Sequence, residues 1–358
     1  MSVHVTVIAE AGVNHNGSLE KALSLVDVAA DAGADVVKFQ TFKAEALATA
    51  KAEKATYQIA NTSEAGSQLE MLRRLELSPE HHQVLVERCR ARGVRFMSTA
   101  FDEASLEFVS SLDMPAIKIP SGDITCAPML LRAARLRQPL IVSTGMCSLS
   151  DVEMALGVLA FGLTSDADPA GERDFARAYA SDEGRRALES HVTLLHCVTQ
   201  YPAPAESVNL RAMDTLAAAF GLPVGYSDHT AGLPVSLAAV ARGATVIEKH
   251  FTLDRALPGP DHAASLEPDE LAELVTGIRT IERALGHALK APAAVELPNR
   301  AVARRSIVAA RPIRRGELLT AEALSCKRPG TGMSPMRFWD VVGTAAQRDY
   351  AVDEPLDA

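Results

Sequence analysis

The chain has 358 residues, 47% of them apolar but only 4% aromatic, and a formal net charge of −9. No basic run supplies the concentrated Lys/Arg surface that a nucleic-acid backbone requires, and no apolar stretch approaches the ~18 residues of a membrane span. The five cysteines (Cys89, Cys126, Cys147, Cys197 and Cys326) form no close pair and no CxxC spacing, which predicts reduced thiols in a cytoplasmic protein. The N-terminus has neither a basic leader nor an apolar core, so no targeting peptide is expected.

Apolar runs ending in polar clusters recur in chain order: IAEAGVNHNG (8–17), VVKFQT (36–41), FMSTAF (96–101), IKIPSGD (117–123), IVSTGM (141–146), LLHCVTQYP (194–202), VGYSDHT (224–230) and IEKHF (247–251). Helix-like segments separate them. Residues 18–33 begin at Ser18, a natural N-cap, and stop at Gly33; similar periodic faces occupy 78–93, 105–112, 233–244 and 267–286. This alternation predicts a parallel (β/α)8 TIM barrel over 1–286, with chemistry on the rim formed by the strand C-termini. Small branched residues suit its layered interior.

Two segments interrupt the rhythm. Residues 43–77 form a long polar connection after the second strand, placed where a βα loop can cover a site, whereas 163–190 reads as surface elaboration. Prolines bracketing APAAVELP (291–298) predict a non-helical linker over 287–299, followed by a small mixed domain at 300–358 with turns at Gly316 and Gly330. A unit of that size has a marginal core and is expected to pack against something else.

The chemistry-bearing residues lie at the strand ends. His229 and His250 follow the seventh and eighth strands, neighbours in a barrel, and two neutral imidazoles with open positions suit a divalent metal whose identity stays open. Lys38 and Lys118 stand in apolar strands, where a charge requires an anion, either a substrate or an internal partner such as Glu10. Around them Ser121, Gly122, Ser143, Thr144, Gly145 and Ser227 supply hydroxyls and amides suited to phosphate and carboxylate. Glu10, Asp123, Asp228 and Asp261 are the strand-end carboxylates available for proton transfer or hydroxyl recognition.

The series IAEAGVNHNG, VKFQTF, KIPSGD, STGM, YPAP, VGYSDHT, EKHF, GPDH and KRPGTG spans nearly the whole chain. In that order it resembles the sialic acid synthases, which condense phosphoenolpyruvate with N-acetylmannosamine or related sugars into nine-carbon 2-keto acids. The resemblance implies an antifreeze-like (SAF) C-terminal domain that crosses to the partner barrel in a domain-swapped homodimer. It assigns His229 and His250 to Mn2+ or a similar ion such as Mg2+ or Co2+, and Lys38, Lys118, Ser121, Ser143 and Ser227 to phosphoenolpyruvate. Glu10, Gln40, Thr99, Tyr201 and Asp261 match sugar-side or general site positions, and Arg328 matches an arginine donated by the neighbour to the N-acyl group.

Two positions depart from the pattern. Asp123 stands where the family has Glu, shortening a candidate proton-transfer group by one methylene, and Thr199 replaces an Asn. The stretch VTQYPAP is instead similar to relatives that handle bacterial nonulosonates such as legionaminic acid. Two other readings compete: a condensing barrel that builds seven- or eight-carbon keto acids, and an inactive sugar-binding homologue.

Overall fold

The structure is a computed structural model and describes residues 4–62 and 66–357. It divides into two compact units, Met1–Gly286 and His287–Ala358.

In the first unit the eight apolar runs become β1 (Thr6–Gly12), β2 (Val36–Thr41), β3 (Arg95–Ala100), β4 (Ile117–Ile119), β5 (Leu140–Ser143), β6 (Val192–Cys197), β7 (Val224–Asp228) and β8 (Val246–His250). Every neighbouring pair is parallel, and β8 returns to β1, with Glu10 registered against Lys38 on one side and His250 on the other. The expected closed barrel is therefore present.

Alternation along the strands separates two apolar regions. Val7, Val37, Phe96, Ile117, Val142, Leu194 and Ile247 face outward and join the main core with the surrounding helices. Ile8, Val36, Met97, Ala116, Ile141, Leu195 and Val246 instead form a separate cluster that fills the barrel. Gly225 belongs to this crowded layer, since a Cβ there would lie 2.5 Å from the Val246 carbonyl oxygen and 2.7 Å from Leu195 Cδ2.

Helix α1 (Leu19–Asp31) is capped by Ser18, whose hydroxyl accepts from the Lys21 amide, as expected. The 43–77 segment is more ordered than a long polar connection: it holds three short helices, α2 (Ala44–Leu47), α3 (Thr56–Thr62) and α4 (Gln68–Arg73). Ser67 and Glu70 form a reciprocal capping box at α4, and Leu69 and Met71 are buried. Helix α5 (Pro79–Arg92) runs from the Ser78 cap to a left-handed Gly93.

The remaining helices of this unit are α6 (Glu103–Ser110), α7 (Ala127–Arg135), α8 (Leu149–Thr164), α9 (Glu172–Ala180), α10 (Asp182–His191), α11 (Ala212–Phe220), α12 (Pro234–Ala241) and α13 (Pro268–Leu285). Residues 163–190 thus contribute the end of α8 and two extra helices. Helix α9 buries none of its own residues, although Phe175 makes an edge contact with Phe161 at 5.6 Å. Among the described residues no helix is long and apolar enough to cross a membrane.

The predicted linker is without helix over 287–293, but its end is helical. A 3-10 turn covers Ala294–Glu296 and α14 covers Leu297–Ala303, because Pro298 falls in the first turn, where its missing N–H breaks no hydrogen bond. In the second unit β9 (Ser306–Ala309) pairs antiparallel with β10 (Leu324–Lys327), and α15 spans Phe338–Val341. Its own small core contains Ile307, Ile313, Leu319, Leu324 and Tyr350.

Candidate active site

Two residues along each strand from the apolar plug, the barrel interior turns polar. Glu10, Lys38, Thr99, Lys118, Ser143, Ser227 and Glu248 are all buried, and together they form one connected network. The Lys38 ammonium lies 2.7 Å from Glu10 and 3.5 Å from Glu248, and donates to Thr99 Oγ1 at 2.9 Å. Lys118 donates to Ser143 Oγ at 2.8 Å and lies 3.5 Å from the other oxygen of Glu248. Ser227 donates to that same oxygen at 2.9 Å, and Gln40 reaches Glu10 at 3.4 Å.

Two lysines thus meet two carboxylates in a water-poor layer. Burial is the strongest influence on each carboxylate, but the outcomes differ. Burial and the nearby charge of Glu248 raise Glu10 to about 7, despite Lys38. Against the same burial, Lys118 and Lys38 hold Glu248 down to about 2. Burial thus favours the neutral form of Glu10, whereas the two ammonium groups favour the charged form of Glu248.

Above this layer, Ser121 Oγ accepts from the Gly145 amide at 2.9 Å and lies 3.0 Å from Cys197 Sγ. Gly145 has no space for a side chain: a Cβ would lie 2.4 Å from Thr199 Oγ1 and 2.8 Å from both Ser121 Oγ and Cys197 Sγ. The hydroxyl and amide of Ser121 and Gly145 are thus closely packed against Cys197 and Thr199.

The two histidines stand together at the rim. Their ring centroids are 5.6 Å apart, and Tyr201 packs on both, at 4.1 Å from His229 and 5.7 Å from His250. Burial lowers both imidazoles below their ordinary range, leaving them neutral. His229 Nδ1 donates to the Val198 carbonyl at 2.7 Å, which leaves the Nε2 lone pair available; His250 Nδ1 is buried without a hydrogen-bond partner. Two neutral imidazoles with available lone pairs fit an open divalent-metal site. Among the described residues no group of three or more His, Cys, Asp or Glu side chains forms a closed one.

A cavity of about 370 Å³ opens beside His250, and its polar lining is Gln40, Gln58, Gln68, Asp123, Tyr201, His250 and Asp261. Burial raises Asp123 to about 6, with Lys118 opposing it, and raises Asp261 to about 6 as well. The barrel mouth thus brings together the predicted residues of the first unit apart from Asp228. Arg328 lies in the second unit, exposed on the chain that follows β10.

Asp228 is the strand-end carboxylate that the structure removes from the site. It points outward from β7 and pairs with Lys249 at 3.1 Å, both side chains being 0% exposed, while Ser236 and the Thr230 amide donate to it. Glu248 is the functional residue that sequence reasoning missed. The signal was present in IEKHF: with His250 inward, a two-residue repeat also turns Glu248 inward and Lys249 outward.

Comparisons with known proteins agree with this geometry. Residues 25–290 match the NeuB family and residues 304–358 match the SAF domain. The chain is 48% identical to an N,N'-diacetyllegionaminic acid synthase of Legionella pneumophila, covering 98% of this chain and 92% of that protein. It is 45% identical to the enzyme of that name from Campylobacter jejuni, covering 97% of each. The crystal structure of an N-acetylneuraminic acid synthetase from Leptospira borgpetersenii is similar at a TM-score of 0.66 and 34% identity, covering 83% of this chain and 90% of that one. With that match over residues 25–290 and relatives matched over nearly the whole chain, this chain belongs to the NeuB family.

Proposed function

We propose that this protein condenses phosphoenolpyruvate with an N-acyl hexosamine to form a nine-carbon 2-keto acid and phosphate. The observation that carries this reading is the buried Lys38–Lys118 layer directly beneath two neutral histidines in one barrel mouth. It combines cationic recognition of a small polyanion with a place to activate a carbonyl. The names of the similar enzymes favour a 2,4-diacetamido-trideoxy hexose over N-acetylmannosamine as the acceptor.

Lys118, Ser143, Ser121 and the Gly145 amide hold the phosphate and carboxylate of phosphoenolpyruvate, together with Lys38 and Ser227. A divalent ion, Mn2+ by resemblance, held by His229 and His250 would polarise the acceptor aldehyde. The enol C3 then bonds to the aldehyde carbon, and water adds to C2 of the former enol. Glu10 takes one proton of that water, the new alkoxide takes up a proton to become a hydroxyl, and the C2–O bond to phosphate breaks as the C2 hydroxyl gives its proton to the departing phosphate and becomes the keto group. Phosphoenolpyruvate, hexose and water together balance the keto acid and phosphate. Asp123, Gln40, Tyr201 and Asp261 orient the sugar, and confining both reactants in one cleft removes an entropic barrier.

The reading extends to a cytoplasmic homodimer in which Arg328 reaches the partner's acceptor. Leu285, Leu289, Val295, Leu297 and Val302 are all exposed along the segment between the barrel and β9, which supports a partner covering that surface. The test supplies purified protein with phosphoenolpyruvate, Mn2+ and either hexosamine. Phosphate release that requires the acceptor, with a product of the summed mass less phosphate, supports the assignment. Release without an acceptor, or none with either sugar, overturns it.

A further inference from the structure

His229 and His250 belong to neighbouring strands, but strand pairing fixes only one of them. Strand β7 ends at Asp228, registered against Lys249, so His229 lies one residue beyond the last pair between β7 and β8. The groups that hold the chain there lie on the outer face of the two strands. Asp228 Oδ1 accepts from the Thr230 amide at 2.8 Å, and the Lys249 ammonium, 3.1 Å from Asp228 Oδ2, donates to the Thr230 carbonyl. The Ser236 hydroxyl donates to the same carboxylate at 2.6 Å. The residue that follows His229 is thus held through both its N–H and its C=O, and Lys249 is itself the residue before His250.

The same clamp extends to a third side chain. The His229 carbonyl accepts from the Ala203 amide at 2.8 Å, and Ala203 forms a parallel bridge with Thr230. Two residues before Ala203, Tyr201 packs on both imidazoles. Apolar residues of similar volume often replace a buried ion pair without loss of stability, so packing alone gives no reason for charge at these two positions. The charges have a geometric use instead: a carboxylate holds an N–H, an ammonium holds a carbonyl, and an apolar pair can do neither.

Resting on the condensation reading above, we propose that Asp228 and Lys249 are positioning residues for the divalent ion: their buried pair, behind β7 and β8, sets the separation of His229 and His250 through Thr230. The pair touches neither substrate nor metal. It is also separate from the layer in which Lys38 pairs with Glu10 and Lys118 with Ser143 and Glu248. Loss of the Lys249 ammonium releases the Thr230 carbonyl and with it His229, while the lysines that receive phosphoenolpyruvate keep their partners.

The test titrates Mn2+ into chelator-treated full-length protein and follows the free ion by electron paramagnetic resonance, with folding verified by circular dichroism. Removing a group that orients a metal-binding histidine typically weakens metal binding by about 10- to 100-fold, and Lys249→Met should fall in that range. Asp228→Asn/Lys249→Met, the more stable of the two variants, still lacks the donor to Thr230 and should keep the weakened Mn2+ site; it is read alone if the single variant does not fold. At saturating Mn2+ the KM for phosphoenolpyruvate should stay native in both. Native Mn2+ affinity in the folded variants, affinity that returns in step with stability, or an equal weakening of phosphoenolpyruvate overturns the positioning role. A native protein that binds no Mn2+ yet releases phosphate with an acceptor overturns that role alone. One that releases none with either hexosamine overturns the condensation reading on which it rests.

Discussion

Lys249→Met removes one half of a fully buried ion pair while keeping an apolar stem of similar length. Asp228 would lose a cation at 3.1 Å but keep donors from the Thr230 amide at 2.8 Å, Ser236 at 2.6 Å and Tyr226 at 3.3 Å. Breaking a buried pair in this way typically costs about 3–5 kcal/mol. The remaining donors to Asp228 place the expected loss in the lower part of that range, about 3–4 kcal/mol at pH 7. Urea unfolding at fixed protein concentration measures it, and Asp228→Asn/Lys249→Met should recover at least half of the loss. A deficit below about 1 kcal/mol at pH 7, or no recovery in the double variant, refutes the reasoning.

His15 is fully buried, and burial, with smaller contributions from neighbouring histidines, lowers it from 6.5 to about 3. The folded state thus binds fewer protons than the unfolded chain between those values. Stability from this group is present above 6.5 and lost at about 1.4 kcal/mol per unit as pH falls. His15→Gln should flatten the acid limb of urea midpoints between pH 6.5 and 4; identical slopes would count against it. Arg328→Ala should raise KM for the hexosamine by about 10- to 100-fold, the worth of a charged hydrogen bond, while sparing phosphoenolpyruvate. Mixing it with His250→Ala should restore activity if the arginine acts across subunits, and no recovery in verified mixed dimers would exclude that route.

The barrel was legible because each strand announces itself locally. An apolar run ends in a polar cluster, and a capped helix such as Ser18–Gly33 follows. The rim residues were legible for the same reason, since a parallel barrel places all strand C-termini at one mouth. The end of the linker was not legible, because a proline breaks a helix only in its interior and Pro298 occupies a helical first turn.

Sequence alone thus determined which strand ends reach the barrel mouth, because apolar runs and strand direction are local properties of the chain. Tertiary structure decided their partners. Glu10, Lys38, Lys118 and Glu248 are far apart in the chain and acquire their ionisation only when closure brings four strands' charges into one dry layer. Asp228 was read as a rim carboxylate and Glu248 was not, yet pleat parity sends the first behind the barrel to Lys249 and the second to the two lysines. The apolar contacts of the 43–77 segment arose in the same way. Leu47, Met71, Leu72 and Leu75 are scattered through a polar stretch and become a surface only by folding against Phe42 and Phe101, because burial is a property of three-dimensional neighbours rather than of sequence position.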